Sequence, residues 1–212
     1  MPGISTRQKC HAIKFPSAGK LSLMTMPDKN QRQEETRNAR VFFALWPDAA
    51  PRAALAAWQP GLKKLCGGKE MRDYTLHTTL VFLGEVAEHR LEALQLAARE
   101  VQGEPFELNL DVAHYWGHNH IVYAAPRVIP PQLARLAHEL EQHLIGHHFH
   151  FDKHPVYKPH VTLLRHAKWT DAPLPAMRAV TWRAESFALM QSVRDEHGAR
   201  YEMLARFPLP GV

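Results

Sequence analysis

The chain has 212 residues, enough for one compact domain or two closely packed halves with a buried core. Hydrophobic residues make up 45% of it and charged residues 22%, a composition typical of a soluble globular protein. Two cysteines are too few for a disulfide framework, and no apolar run approaches the roughly 18 residues that span a bilayer. These features exclude a disulfide-rich secreted module and a helical membrane protein, and they predict a cytoplasmic location.

The net charge of +5 favours a polyanionic substrate or partner, although many basic proteins do not bind nucleic acid. The 15 histidines are more unusual. A chain so rich in histidine contains several without a catalytic role, so each candidate needs an argument from its own position.

The first elements follow an N-terminal segment that lacks hydrophobic periodicity. Residues 1–39 are rich in Lys, Arg, Gln, Ser and Thr, which predicts a flexible basic extension before a single bilobal domain over residues 40–212. Residues 41–46 form an apolar run that ends at Pro47 and predict a buried strand. A helix follows, with a break or kink at Pro60-Gly61. Its apolar positions are Leu55, Trp58, Leu62 and Leu65.

The middle of the chain continues with alternating elements. Residues 76–83 predict a strand that ends at Gly84. A helix with one apolar face comes next. That face consists of Leu91, Leu94, Ala98 and Val101. Residues 106–113 and 120–125 predict two strands of a hairpin whose loop contains Trp116.

The second half begins with another amphipathic helix and ends with two strands. The helix has an apolar stripe of Leu133, Leu136, Leu140 and Leu144. A strand over residues 160–165 follows, and residues 186–192 and 201–207 predict a closing pair around a turn at His197-Gly198. Each half contains a helix and a strand that opens with a similar tetrapeptide, which predicts a pseudo-duplicated α+β fold.

The two tetrapeptides are His77-Thr78-Thr79-Leu80 and His160-Val161-Thr162-Leu163, which share the pattern His-x-Thr-Leu. Residues i and i+2 of a strand point to the same face, so each histidine shares a face with the threonine two positions later. The opposite face is mostly apolar, with Thr78, Leu80 and Phe82 in the first strand. The motif therefore presents a polar pair to a cleft and anchors itself in the core.

Two imidazoles and two hydroxyls from opposite walls of a cleft suit in-line displacement at phosphorus. One group takes a proton from the nucleophile while the other gives a proton to the leaving oxygen. Histidine suits both tasks near neutral pH, because its unperturbed pKa is about 6.5. The hydroxyls of Thr79 and Thr162 can donate hydrogen bonds to non-bridging phosphate oxygens. This chemistry requires no metal or other cofactor. The alternative is that each histidine caps a strand or satisfies a buried partner, which the matched pair disfavours.

Other features predict less. His143, His147, His148, His150 and His154 form a histidine-rich run, but Asp152 is its one nearby acidic ligand, so we predict no metal site there. Base stacking needs an exposed aromatic ring at the cleft, for which Tyr157 and Trp116 are weak candidates.

The residues resemble the two-histidine (2H) phosphoesterase superfamily, and specifically its RNA 2′,3′-cyclic phosphodiesterase branch, historically called bacterial 2′-5′ RNA ligase. The resemblance runs from about Arg40 to Leu209 and is strongest at 76–85 and 158–165. It implies a bilobal fold of two antiparallel sheets flanked by helices, with the active site in the cleft between the lobes. It also implies hydrolysis of a terminal 2′,3′-cyclic phosphate on RNA to a 2′-phosphomonoester, with no obligate protein partner.

The resemblance also implies residue roles. His77 is expected to be the general acid and His160 the general base, although spacing alone leaves the reverse assignment open. Thr79 and Thr162 are expected to hold the phosphate. Arg165 is associated with the phosphate site, yet strict alternation puts it on the face opposite His160, so this role requires a bulge or the end of the strand there.

Two alternative functions remain open on these residues. The same site could cleave 2′-5′-linked oligoadenylates or join RNA halves reversibly through a 2′-5′ bond. The other alternative is a basic RNA-binding module without turnover, although binding alone does not require paired imidazoles.

Overall fold

The computed structural model describes residues 37–210 except 154, 155, 169, 196 and 197. Within these residues the α-helices are α1 (Ala49–Ala56), α2 (Gln59–Cys66), α3 (Leu91–Arg99) and α4 (Pro131–Gly146). The strands are β1 (Asn38–Leu45), β2 (Lys69–Glu70), β3 (Thr78–Ala87), β4 (Phe106–Leu110), β5 (Val112–Trp116), β6 (Ile121–Ala125), β7 (Val161–Arg165), β8 (Val180–Ala184), β9 (Ser186–Asp195) and β10 (Gly198–Pro208).

The first sheet has the strand order β10-β9-β1-β3, with antiparallel pairing throughout. Its central strand β1 is the predicted apolar run. Val41, Phe43 and Leu45 belong to the main hydrophobic core, while Phe42 and Ala44 lie in a second, smaller apolar cluster. This division follows the period of two in strand side chains.

The second sheet has the order β2-β7-β6-β5, and β4 pairs with β8 in a separate two-stranded sheet. The single strand predicted over 106–113 is therefore wrong, because the chain changes sheets at Asp111. The Asp111 carboxylate accepts a hydrogen bond from the backbone N–H of Arg127 and ion-pairs with its side chain. The hairpin is thus β5 with β6.

The helices pack against the sheets. In the first helical region, Pro60 is at the start of α2, where its missing N–H is not needed by the helix. The predicted break is present just before Pro60, at Ala57 and Trp58, the two residues between α1 and α2. The fold class is confirmed: α+β, with antiparallel sheets and helices against them. The third, two-stranded sheet is an addition to the two that were expected.

The lobes do not coincide with the two halves of the sequence. The first sheet combines β1 and β3 with β9 and β10 from the C-terminal end, and the second contains β2 from the first half. Gly68 lets β2 approach β7, since a Cβ there would lie 2.6 Å from the Arg165 carbonyl oxygen and its φ is +88°. The two motif strands nevertheless lie in different sheets, as the pseudo-duplication predicted.

Two predictions concern the ends of the elements. Residues 1–36 and the turn residue His197 lie outside the described residues, so the flexible extension and that turn stay predictions. β1 pairs from Asn38, two residues before the expected start at Arg40.

Among the residues that the structure describes, no helix has the length and hydropathy to cross a membrane.

Candidate active site

A cavity of about 630 Å³ opens between the two sheets. Its walls contain His77 and Thr79 from the first motif and His160 and Thr162 from the second, together with Arg165. The structure thus brings together the five residues that the sequence nominated for catalysis and phosphate binding, although they come from strands of different sheets.

Each motif histidine is held in the same way. His77 Nδ1 lies 2.6 Å from the Thr75 carbonyl oxygen, and His160 Nδ1 lies 2.9 Å from the Lys158 carbonyl oxygen. A carbonyl oxygen only accepts, so Nδ1 carries a hydrogen in both rings. Nε2 is therefore the nitrogen left in each ring to accept or give a proton at the cavity.

A β-bulge after each threonine decides which side chains face the cavity. In the pairing of β3 with β1, Thr79 and Val81 lie opposite consecutive residues of β1, so Leu80 between them is the extra residue. In the pairing of β7 with β6, Thr162 and Leu164 lie opposite consecutive residues of β6, so Leu163 is the extra residue. Each bulge shifts the alternation by one position.

The bulges have two consequences for the predictions. Arg165 lies on the cavity side with Thr162, which fulfils the condition that its expected role required. Phe82 was expected on the core face, and this was wrong: it is 43% exposed and lines the cavity. Phe82 and Arg165 occupy corresponding positions, five residues after their motif histidines.

Gln59, at the start of α2, supports the second bulge. Its Nε2 donates to the carbonyl oxygens of Met71 at 2.7 Å and of Leu163 at 3.0 Å. Leu163 is the bulged residue, whose backbone groups are displaced from the regular ladder. Gln59 is buried, so these bonds are shielded from water. Its helical position gives no sequence signal of this role.

The two imidazoles have different electrostatic surroundings. The pKa of His77 is lowered to about 4, mainly by burial; the hydrogen bond to Thr75 opposes this shift, and the positive charges of His160 and Arg165 contribute to it. Burial also lowers the pKa of His160, opposed by the hydrogen bond to Lys158. Both rings are therefore mainly neutral near pH 7 in the unliganded cleft.

The cavity walls are basic. Arg40, Lys69, Arg72 and Arg194 line it in addition to Arg165. Glu70 also lines it, but its carboxylate is paired with Lys63 on α2 at 3.7 Å. The cleft therefore attracts anions.

The aromatic side chains differ from the prediction. Tyr157 packs against the core, and its hydroxyl donates to the Thr79 carbonyl oxygen at 3.0 Å. Trp116 contacts the His160 ring at 4.7 Å. Neither is among the residues that line the cavity, so their positions do not support base stacking. The exposed ring at the cavity is Phe82, with the Arg40 guanidinium 4.8 Å from its centroid.

The histidine-rich run lies away from the cavity. His143 and His147 both contact the Glu100 carboxylate, at 3.2 and 3.1 Å. Among the described residues there is no group of three or more His, Cys, Asp or Glu side chains arranged to hold a metal ion. His154 lies outside the described residues, and the absence of a metal site in this run stays a prediction from the sequence.

A cleft with a His-x-Thr pair on each wall is the arrangement of a two-histidine phosphoesterase. The family model described as LigT-like phosphoesterase matches residues 45–123. The chain is 30% identical to an Escherichia coli protein over 170 residues, covering 80% of this chain and 96% of that one. It is 31% identical to a Thermus thermophilus protein over 186 residues, covering 81% and 91%. Both relatives carry the name RNA 2′,3′-cyclic phosphodiesterase.

Solved structures agree with these matches. The crystal structure of E. coli LigT complexed with 3′-AMP has a TM-score of 0.74 and 29% identity, covering 82% of this chain and 99% of that chain. The structure of the T. thermophilus protein TT0787 has a TM-score of 0.63 and 30% identity, covering 81% and 98%. This chain belongs to the LigT-like phosphoesterase family of the 2H superfamily.

Proposed function

We propose that this protein is an RNA 2′,3′-cyclic phosphodiesterase that hydrolyses a terminal 2′,3′-cyclic phosphate to a 2′-phosphomonoester. One observation carries the proposal: each wall of the basic cleft contributes one imidazole with its Nδ1 bound to a backbone carbonyl, and one threonine. The names of the E. coli and T. thermophilus relatives support the choice of substrate. The cytoplasmic location stays a prediction from the sequence.

The reaction is a single in-line displacement. His160 Nε2 takes a proton from a water molecule whose oxygen attacks phosphorus. The bond between phosphorus and O3′ breaks, and the His77 imidazolium gives its Nε2 proton to O3′. The products are a 2′-phosphate and a 3′-hydroxyl, and proton exchange with solvent restores both rings.

His77 must be protonated to act as the acid, whereas its pKa in the unliganded cleft is about 4. The substrate phosphodiester carries one negative charge. An anion within a few ångströms stabilises the imidazolium and raises its pKa, so substrate binding and protonation of His77 favour each other.

Thr79, Thr162 and Arg165 act on the phosphate. Their donors are suited to the non-bridging oxygens, where negative charge accumulates in the transition state. A guanidinium can bind two of these oxygens at once, which a lysine ammonium cannot do with the same geometry. The exposed ring of Phe82, next to Arg40, is suited to stack on the base of the terminal nucleotide.

The decisive experiment is turnover of a short RNA with a 2′,3′-cyclic phosphate end in the presence of EDTA. We expect release of a 2′-phosphate end, and losses of about 100-fold to 10,000-fold in kcat for His77→Ala and for His160→Ala. The exposed His89, which is not part of the cavity, provides the control variant His89→Ala. An inactive parent protein would leave the RNA-binding interpretation in place.

Two further substrates separate the remaining alternatives. A cyclic phosphate with sulfur in place of O3′ has a leaving group that needs little protonation, so it should restore activity to the variant that lacks the acid. Restoration of His77→Ala supports the roles above, and restoration of His160→Ala reverses them. Faster cleavage of 2′-5′-linked oligonucleotides than of the cyclic phosphate would favour the 2′-5′ phosphodiesterase alternative.

A further inference from the structure

The cavity side of the first sheet carries an apolar layer beneath His77. Phe42 and Ala44 alternate along β1, and Trp46 continues the alternation just after the strand ends. Ala188 and Met190 from β9 complete the layer, and Tyr201 from β10 packs against it. Phe42, Ala44, Ala188 and Met190 are all buried and form a cluster separate from the main core, and Phe42 and Tyr201 also line the cavity.

His77 lies against three rings of this layer. The Trp46 ring stacks on it with centroids 5.3 Å apart and planes 12° apart. The Phe42 ring is 4.9 Å away at 32°, and the Tyr201 ring is 5.2 Å away at 84°. The indole face is therefore the one nearly parallel to the imidazole.

His160 has different ring contacts. Trp116 lies 4.7 Å from it with planes 69° apart, and Tyr123 lies 5.5 Å away at 72°. These are edge arrangements. Among the described residues, His77 therefore has a nearly parallel aromatic partner, whereas the ring contacts of His160 are both close to perpendicular.

The difference matters because an indole face is the negative side of the aromatic quadrupole. A cation within about 6 Å of a tryptophan ring is attracted to the ring face, and the attraction is stronger where water is excluded. A neutral imidazole gains much less of this electrostatic attraction. Stacking on Trp46 therefore favours the protonated ring over the neutral one.

We propose that Trp46 is a positioning residue that orients the His77 ring and stabilises its imidazolium form, the state in which a general acid has a proton to give. This inference rests on the proposed function, since it concerns the acid of that reaction. Trp46 does this without a formal negative charge. A carboxylate in its place would also favour the cation but would repel the substrate phosphate.

The charged groups that face His77 make such support necessary. His160 and Arg165 from the second sheet both oppose a positive charge on His77, as burial does. Arg40 and Arg194 line the same cavity and add to the positive potential. The polar groups that contact His77 from its own wall of the cleft are the Thr75 carbonyl oxygen and the phenol ring of Tyr201.

The test is an NMR titration of His77 in the full-length protein without substrate. In Trp46→Leu we expect the pKa of His77 to fall by about half a unit to one unit. Trp46→Phe should give a smaller fall, because phenylalanine binds cations less strongly than tryptophan. Trp116→Leu is the matched control beside His160 and should leave the His77 titration unchanged.

Two results would overturn the inference. One is a His77 titration that is the same in Trp46→Leu, Trp46→Phe and the parent protein. The other is an equal shift in Trp46→Leu and Trp116→Leu, which would indicate general loosening of the cleft. Because the titration needs no turnover, it is decided independently of whether the protein hydrolyses cyclic phosphates.

Kinetics then connect the titration to the reaction. With saturating cyclic phosphate substrate, the alkaline limb of kcat reports loss of the proton from the acid. We expect this limb to move to lower pH in Trp46→Leu, by about the shift seen in the titration, and to stay in place in Trp116→Leu. A fall in kcat that is equal at every pH would contradict the inference.

Discussion

Thr78 and Thr79 are neighbours in the first motif, yet their hydroxyls lie in opposite environments. Thr79 lines the cavity, whereas Thr78 is 0% exposed. Among the described residues, the Thr78 hydroxyl has no hydrogen-bond partner. The corresponding residue of the second motif is Val161, which has nearly the same shape and no hydroxyl. The middle position of the motif therefore belongs to the core.

Replacement of these two threonines by valine should separate stability from activity. Thr78→Val removes an unsatisfied buried hydroxyl, and we expect the free energy of unfolding to rise by about 1 kcal/mol with kcat retained. Thr79→Val should lower kcat by about 100-fold, since it removes a donor to the phosphate, with little change in stability. Urea unfolding and turnover of cyclic phosphate RNA measure both quantities.

The interpretation of the motif would be wrong if Thr78→Val reduced kcat as strongly as Thr79→Val. It would also be wrong if Thr79→Val retained the activity of the parent. Thr162→Val provides a second measurement from the opposite wall, and we expect it to resemble Thr79→Val.

At the scale of the elements, two bulged strands form the site. The bulges at Leu80 and Leu163 each place an extra residue after the motif threonine. An unbulged β7 would point Arg165 away from His160, because side chains alternate strictly along a regular strand. The Leu163 carbonyl oxygen accepts hydrogen bonds from Gln59 and from the Met71 N–H, which hold the bulge in place.

Gln59→Leu should therefore damage both stability and phosphate recognition. It leaves the Met71 carbonyl oxygen without its side-chain donor and weakens support of the bulge, so we expect about 1 to 3 kcal/mol less stability. We also expect kcat/KM to fall at least tenfold at a temperature where the variant remains folded, because Arg165 loses its position.

Gln102→Leu, at an exposed glutamine after α3, is the control and should change neither quantity. Arg165→Ala distinguishes the route of the effect. If Gln59 acts through Arg165, the double variant should have no lower activity than Arg165→Ala alone. Additive losses of activity would contradict this route.

At the scale of the whole molecule, the two lobes are joined at the site itself. The hydroxyl of Tyr157, which precedes the second motif, bonds to the backbone of Thr79 in the first. Burial raises the pKa of this phenol, so it stays a donor at neutral pH.

The net charge of +5 is partly concentrated in the cleft, where Lys69 and Arg165 are cross-strand neighbours in the β2–β7 ladder. Cross-strand partners lie on the same face, so both cations face the substrate.

We expect kcat/KM for an RNA oligonucleotide to fall steeply with salt. Each phosphate contact to single-stranded nucleic acid contributes about 0.7 to the slope of log affinity against log salt. Lys69→Gln should lower that slope by about this amount. Lys64→Gln removes an exposed charge of α2 that does not line the cavity, and should leave the slope unchanged. Equal slopes for all three proteins would contradict a role of Lys69 in phosphate binding.

The sequence by itself determined the class of fold and the chemistry. Two His-x-Thr-Leu tetrapeptides in strand-like surroundings nominated His77, Thr79, His160 and Thr162, because local alternation is enough to put a histidine and the second residue after it on one face. It also predicted the apolar strand β1 and the break near Pro60. Local patterns carry this information, since they depend on residues close together in the chain.

The tertiary structure alone decided which strands share a sheet. It also decided which of the residues that follow Thr79 and Thr162 in their strands face the cleft. β9 and β10 join β1 through pairing between distant residues, and Asp111 sends the chain from one sheet to another. The bulges at Leu80 and Leu163 arise from registry with neighbouring strands, which no local pattern contains. For the same reason Phe82, Gln59 and Trp46 were missed: their roles depend on partners brought near by the fold.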